Sequence, residues 1–195
     1  RRLRALNLNS FAQYLRQLEQ DPNSDEWPQF TNALTTNLTS FFREAYHFDM
    51  LAEQMQASDS KPFRIWCAAA STGEEPYSLA MTAIEAYQVA KPNVEIIASD
   101  LDTHVLATGE KGVYALDKLE KMSLERKRGF FLKGKDANAG KVRAKKALRE
   151  LLQFQQINLL DATWPLKGRF DAIFCRNVMI YFDQATQKAI LQKMG

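Results

Sequence analysis

The residues best placed to do chemistry sit around one short turn, Ala70-Ser71-Thr72-Gly73-Glu74-Glu75, and at Asp100, which ends the apolar run Val94-Glu95-Ile96-Ile97-Ala98-Ser99. In an open α/β sheet a ligand lies beyond the carboxyl ends of the strands, where the first strand-to-helix turn aims backbone N–H groups at it. This turn lacks the GxGxxG of a dinucleotide site, and two acids directly after the glycine would repel a pyrophosphate. The same acids suit a ligand that carries an ammonium and a sulfonium, as S-adenosylmethionine does. Asp100 is placed to accept from both ribose hydroxyls, although an acid there could also cap a helix, as Asp102 or Thr103 could. A small-residue turn, a following acid and a second acid about 25 residues on form one pattern.

Other chemistries find little support. Cys67 and Cys175 each lie inside an apolar run, with no CxxC partner and no neighbouring histidine, and read as reduced core thiols. His47 and His104 occupy polar, helix-like contexts without ligand spacing. They read as surface or capping residues, so no metal site is expected, and Ser/His or Cys/His catalysis is not indicated.

The elements that must position the acids follow from hydrophobic period. Ser10 and Gln13 make a capping-box pattern ahead of Phe11, Tyr14, Leu15 and Leu18, which predicts a helix. A second helix should carry Trp27, Phe30 and Leu34, with Pro28 in its first turn. A polar stretch from Thr35 to Ser40 follows, and helical spacing resumes at Phe48, Leu51 and Met55. From Phe63 to Ala70 the chain is almost continuously apolar, as expected of a parallel strand covered on both faces. Pro76 then opens a helix with Leu79, Ala83, Ile84 and Tyr87 on its buried side. Strands are predicted again at 94–99, 154–157 and 170–175, and a last helix through Ala185, Ile190 and Leu191. Strands alternating with helices imply a parallel α/β sheet.

The chain has 195 residues, of which 46% are hydrophobic and 25% charged, the make-up of a soluble globular protein. No run approaches the roughly 18 to 20 apolar residues that span a bilayer, and no secretory signal follows Arg1, so a cytoplasmic protein without membrane insertion is expected. The net charge of +3 is unevenly spread: residues 121–150 hold eleven Lys or Arg against three acids. Such a segment is either a solvated basic face or a docking surface for an acidic partner.

Three longer stretches carry a family resemblance. Asn37-Leu38-Thr39-Ser40-Phe41-Phe42-Arg43-Glu44, the run from Ala68 to Ser78, and the run from Phe170 to Phe182 resemble, in this order, the chemotaxis receptor methyltransferases, the CheR family. The resemblance covers essentially the whole chain. It implies a bacterial protein-glutamate O-methyltransferase that uses S-adenosylmethionine on chemoreceptors for sensory adaptation, leaving glutamate methyl esters and S-adenosylhomocysteine. It also implies an α/β fold with a Rossmann-like methyltransferase sheet, a helical N-terminal domain over residues 1–36, and catalytic parts at 37–120 and 157–195. A small antiparallel β-subdomain is expected as an insertion at 121–156. Three further strands would complete that fold, so C-terminal strands are expected to be missing from these residues.

Residue by residue, the family's cofactor contacts fall on Asn37, Thr39, Arg43, Glu75, Asp100, Asn158, Leu159, Arg176 and Asn177. Asp100 suits the ribose, Glu75 the ammonium, Arg43 a carboxylate and Asn158 the adenine edge. Leu159 also suits a core position and Thr39 a helix cap. For the transfer itself, Arg43 would steer the substrate carboxylate and Tyr181 would line the site, unless Tyr181 is an aromatic packed in the core. No catalytic base is required, because a glutamate is already an anion at neutral pH.

The resemblance names partners as well: the cytoplasmic helices of chemoreceptors, met by a monomer, and in some members a peptide at the receptor's C-terminus, captured by strand addition. Gly134, Gly140 and Arg143 match the loop and strand of those members, whereas Asp136 stands where another glycine is expected. Two competing functions are a nucleic-acid methyltransferase and a non-catalytic, cofactor-binding receptor adaptor. Against the first, the basic segment offers only Phe130 and Phe131 for stacking on bases, and no Asn/Asp-Pro-Pro-aromatic loop follows the fourth strand. No nucleic-acid partner is therefore expected.

Overall fold

The computed structural model describes residues 2–34, 37–59 and 61–195. Helices α1 (Arg2–Ala5), α2 (Phe11–Gln20) and α3 (Glu26–Leu34) make up the N-terminal part. Ser10 caps α2 by accepting from the Gln13 N–H, as the capping-box pattern predicts. The Gln13 side chain accepts from Asn9 N–H and not from Ser10. Glu26 ties the three helices together, because it pairs with Arg2 and accepts from the Tyr14 hydroxyl at 2.6 Å. The Arg2 guanidinium holds the Glu26 carboxyl below its usual range. Thr35 and Thr36, together with the domain boundary expected at 36, lie outside the described residues.

Helix α4 (Tyr46–Ala57) buries Phe48, Leu51 and Met55, spaced as predicted. Strand β1 (Phe63–Cys67), helix α5 (Glu74–Tyr87), strand β2 (Val94–Asp100) and helix α6 (Thr103–Lys111) follow. After them come β3 (Val113–Ala115), α7 (Leu124–Phe130), β4 (Phe131–Lys133), β5 (Lys141–Ala144) and α8 (Lys146–Arg149). The chain then runs through β6 (Leu152–Gln156), β7 (Ala172–Phe174) and α9 (Gln184–Met194).

Among the described residues, four parallel strands form a sheet in the order β6-β2-β1-β7. The period of two sorts β1 between two cores. Phe63, Ile65 and Cys67 join α4 and α5 on one face, while Trp66 and Ala68 join Ile157, Leu159 and Ile190 on the other. Of the residues that mark the last helix, Ile190 is buried and Ala185 and Leu191 are exposed. Strand β7 is shorter than the predicted 170–175 and only half-buried, because it pairs with β1 on one side alone among the described strands. Cys175, just past its end, is half-buried where Cys67 is fully buried.

The small antiparallel sheet has the order β3-β5-β4. Its first strand, at 113–115, precedes the expected start of the insertion at 121. The last residues of the expected span, 152–156, are β6 and pair with β2 in the parallel sheet. The shift has a local cause: Gly112 ends α6 at φ 60, and its carbonyl accepts from Ala144 N–H, so the chain turns directly into the small sheet.

Candidate active site

The turn after β1 is held by contacts that depend on its glycine. Gly73 has φ 96, and a Cβ there would lie 2.8 Å from both the Gly109 Cα and the Tyr114 hydroxyl oxygen. That hydroxyl donates to the Thr72 carbonyl at 2.8 Å, which links the turn to the small sheet. On the opposite side Ser71 N–H donates to Asp100 Oδ2 at 2.8 Å, so the end of β2 anchors the turn. Asp100 Oδ1 accepts from Asp102 N–H at 3.0 Å. Asp102, not Asp100, caps α6, accepting from the N–H groups of His104 and Val105.

The two acids after Gly73 have different fates. Glu74 is fully buried, accepts from the Thr72 hydroxyl at 2.6 Å and pairs with Lys118 at 3.1 Å. Glu75 lines a cavity of about 430 Å³ at the carboxyl ends of β1 and β2. Burial pushes the Glu75 carboxyl above its usual range, although the Arg176 guanidinium at 2.6 Å pulls it back. Burial also raises Asp100, against the N–H groups of Asp102 and Ser71. The Cys67 thiol donates to Glu75 at 3.4 Å, and burial pushes that thiol well up, which fits a reduced core group.

All nine residues expected to hold a cofactor, Asn37, Thr39, Arg43, Glu75, Asp100, Asn158, Leu159, Arg176 and Asn177, line this one cavity, and so does Tyr181. Asn37 Nδ2 donates to Asp102 at 3.0 Å, and its carbonyl accepts from the Ser71 hydroxyl, which ties the 37–40 stretch to the turn. Arg43 donates to the Leu38 carbonyl at 3.1 Å. Asn158 Oδ1 accepts from Leu160 N–H, which closes the loop after β6. Leu159 is both cavity wall and core. Tyr181 is 60% exposed at the mouth and is not packed in the core. Thr31 of α3 and Leu160 also reach the wall, and no residue pattern in the sequence marked them. Gly134, Gly140 and Arg143 are not cavity residues: the glycines bracket the β4–β5 connection, and Arg143 is exposed on β5.

The donor set suits S-adenosylmethionine. Glu75 and Asp100 offer carboxylates to an ammonium and to ribose hydroxyls, Asn158 offers an amide beyond β6, and the volume is that of a small-ligand pocket. Glu44 and Glu75 share the guanidinium of Arg176, and Glu44 also stands 3.9 Å from Arg43 Nε.

A parallel sheet flanked by helices, with one acid at the end of β2 and another in the first turn of α5 beside one cavity, is the arrangement of an S-adenosylmethionine-binding methyltransferase. Residues 37–195 match the family described as CheR methyltransferase, SAM binding domain, and residues 1–35 match CheR methyltransferase, all-alpha domain. The chain belongs to the CheR methyltransferase family. It is 54% identical to chemotaxis protein methyltransferase 2 of Pseudomonas aeruginosa, a match covering 100% of this chain and 69% of that protein. It is 48% identical to the chemotaxis protein methyltransferase of Salmonella typhimurium, over 99% of this chain and 67% of that one. The Escherichia coli protein of the same description is 46% identical over the same shares. Among solved structures, a glycopeptide N-methyltransferase complexed with sinefungin aligns with TM-score 0.45 and 15% identity, over 80% of this chain and 45% of that one, too distant to bear on function. No helix among the described residues is long and apolar enough to cross a membrane.

Proposed function

We propose that this chain methylates glutamate side chains on the cytoplasmic helices of chemoreceptors, forming methyl esters for sensory adaptation. The observation that carries this reading is the gathering of the nine expected contacts and Tyr181 around one cavity. The names of its relatives as chemotaxis methyltransferases support the chemotactic setting. The cofactor supplies a methyl group already activated on a sulfonium. Glu75 and Asp100 bind and orient it through its ammonium and ribose. Arg43, half-exposed near the mouth, draws the substrate carboxylate in and aligns one oxygen with the cavity. Leu38, 80% exposed, and Tyr181 make an apolar rim on the same cavity. The substrate arrives as an anion, which fits a wall without histidine among the described residues.

The small sheet has a second task in this reading, the docking of a receptor C-terminal peptide. A Cβ at Gly134 would sit 2.1 Å from the Asn138 carbonyl oxygen, and Gly140 has φ 79, so both glycines are needed for the loop. Asp136 takes φ 48, the left-handed conformation expected of the glycine it replaces. Strand β5 is central, so an added peptide strand pairs with β3 or β4, and Arg143 meets it through its side chain.

The test is transfer of labelled methyl to receptor-bearing membranes. Wild type should transfer base-labile label, the mark of a carboxyl ester, and Arg43→Ala should slow transfer at least tenfold with S-adenosylhomocysteine affinity changed less than threefold. Label on nucleic acid, or none on receptors, would overturn the proposal.

A further inference from the structure

Glu44 follows Arg43 in the Phe41-Phe42-Arg43-Glu44 motif and has had no role so far. We infer that Glu44 and Arg176 form a lock that couples a cation at Glu75 to the orientation of Arg43, which makes Glu44 a positioning residue for methyl transfer. The inference rests on the proposed function, in that Arg43 is taken as the group that meets the substrate carboxylate.

The lock is visible in how one guanidinium is divided. Arg176 is nearly buried, donates through Nη1 to Glu75 Oε2 at 2.6 Å and through Nη2 to the Arg43 backbone carbonyl at 2.6 Å. The same Nη2 stands 3.1 Å from Glu44 Oε2. Arg176, with the Asn177 side chain also bonding, holds the Glu44 carboxyl below its usual range. The turn these contacts grip is one that L residues adopt only when held, since Phe42 has φ 51 and Glu44 φ 55. Further grips come from Ser78, whose hydroxyl accepts from Phe42 N–H at 3.0 Å, and from the Arg126 guanidinium 4.0 Å above the Phe42 ring. The Arg176 Nε is buried without a partner, so the orientation of the guanidinium is set by its two Nη groups.

Two carboxylates, one on each Nη of Arg176, compete for it. A cation brought to Glu75 satisfies that carboxylate from the cavity side and weakens its hold on Nη1. The guanidinium then bears more fully on Glu44 and on the Arg43 carbonyl, and the turn tightens. The coupling is reciprocal: a turn tightened by substrate favours the cation at Glu75 by the same factor. Removing the Glu44 charge leaves Glu75 and its ligand in place but cuts the link.

Hydrogen exchange of the amides at 42–46 reads the lock directly, with S-adenosylhomocysteine as the probe because it keeps the ammonium. In wild type, saturating probe should slow exchange there about fivefold or more. In Glu44→Gln the probe should still bind within threefold by calorimetry, the slowing should vanish, and kcat on receptor should fall about tenfold with the cofactor KM unchanged. Glu44→Asp should recover part of both effects. Equal slowing in wild type and Glu44→Gln, or a loss of probe affinity that matches the loss of kcat, would overturn the inference. If Glu44→Gln does not fold, Arg176→Lys makes the same test: one ammonium still faces Glu75 but cannot reach all three acceptors, and a retained slowing would again refute the lock. These exchange outcomes need no receptor, so a failure of receptor methylation strikes the proposed function separately.

Discussion

Replacing Asp100 with alanine removes two kinds of bond at once, and the structure separates them. In the protein alone, Asp100 accepts from Ser71 N–H at 2.8 Å and from Asp102 N–H at 3.0 Å. Hydrogen bonds to a charged acceptor contribute about 1.5–3 kcal/mol each, less where water can replace them, so the folded state should lose about 2–3 kcal/mol. For a chain of this length that lowers Tm by about 4–12 °C. The carboxylate also faces the cavity, where loss of a charge-assisted ribose contact and of a fixed turn should cost about another 2–4 kcal/mol of binding. That range corresponds to a roughly 30- to 1000-fold weaker S-adenosylhomocysteine complex. Asp100→Asn should fall between, since it keeps one acceptor oxygen but turns an NH₂ group toward a backbone N–H. Calorimetric titration gives the affinity and thermal unfolding gives the Tm. If Asp100→Ala binds the ligand within threefold of wild type, the ribose role is wrong. If affinity falls while Tm stays unchanged, the anchoring of the turn by Asp100 is energetically idle.

Gly73→Ala should lower Tm by about 4–12 °C, because it adds a methyl group to a left-handed residue and overpacks backbone and a tyrosine hydroxyl at 2.8 Å, together about 2–3 kcal/mol; an unchanged Tm would mean that α6 and the small sheet shift freely. Affinity for S-adenosylhomocysteine should fall on acidification within a window above the usual carboxylate range, because burial raises both Glu75 and Asp100. The sign follows from proton binding: these two groups take protons more readily in the fold than unfolded, so acid relieves their burial while removing the charge the ligand needs. A flat affinity from neutral pH down to the usual carboxylate range would contradict it. Arg143→Ala should slow methylation of receptors that carry a C-terminal peptide tail and leave tail-less receptors unaffected; equal slowing of both would make the residue part of the general fold.

Much of the fold was legible because its signals are local. The apolar run at 63–70, of which Phe63–Cys67 form β1, the helical spacing of Phe48, Leu51 and Met55, and the Ser10 cap became the elements their period predicts. The small sheet starts before the expected insertion at 121 for a reason that is not local. Val113, Tyr114 and Ala115 are too few to show a period, and they become a strand only because β5 returns from some thirty residues later to pair with them. The same applies to β7, whose length is set by how far β1 can pair with it and not by the longer apolar run in which it lies.

The site was legible by residue type but not by allocation. Glu74 and Glu75 are chemically alike, yet consecutive helical residues point about 100° apart. One therefore turns inward to Thr72 and Lys118, and the other meets Arg176 and the cavity. Nothing about a Glu-Glu pair says which is which, since the choice depends on where Lys118 arrives from beyond α6 and on Arg176, a hundred and one residues away in the chain. Asp100 and Asp102 divide in the same way, one toward the turn and cavity and the other onto the amides of α6. Glu44 went unassigned because Arg176, which stands 3.1 Å from its carboxylate, meets it only in the folded chain. A motif shows which charges a site requires, but the share of each charge given to ligand, to backbone and to another side chain is fixed by residues that meet only in the folded chain. That is why the variants most informative about this protein are Glu44→Gln and Asp100→Ala, in which one carboxylate serves two partners at once.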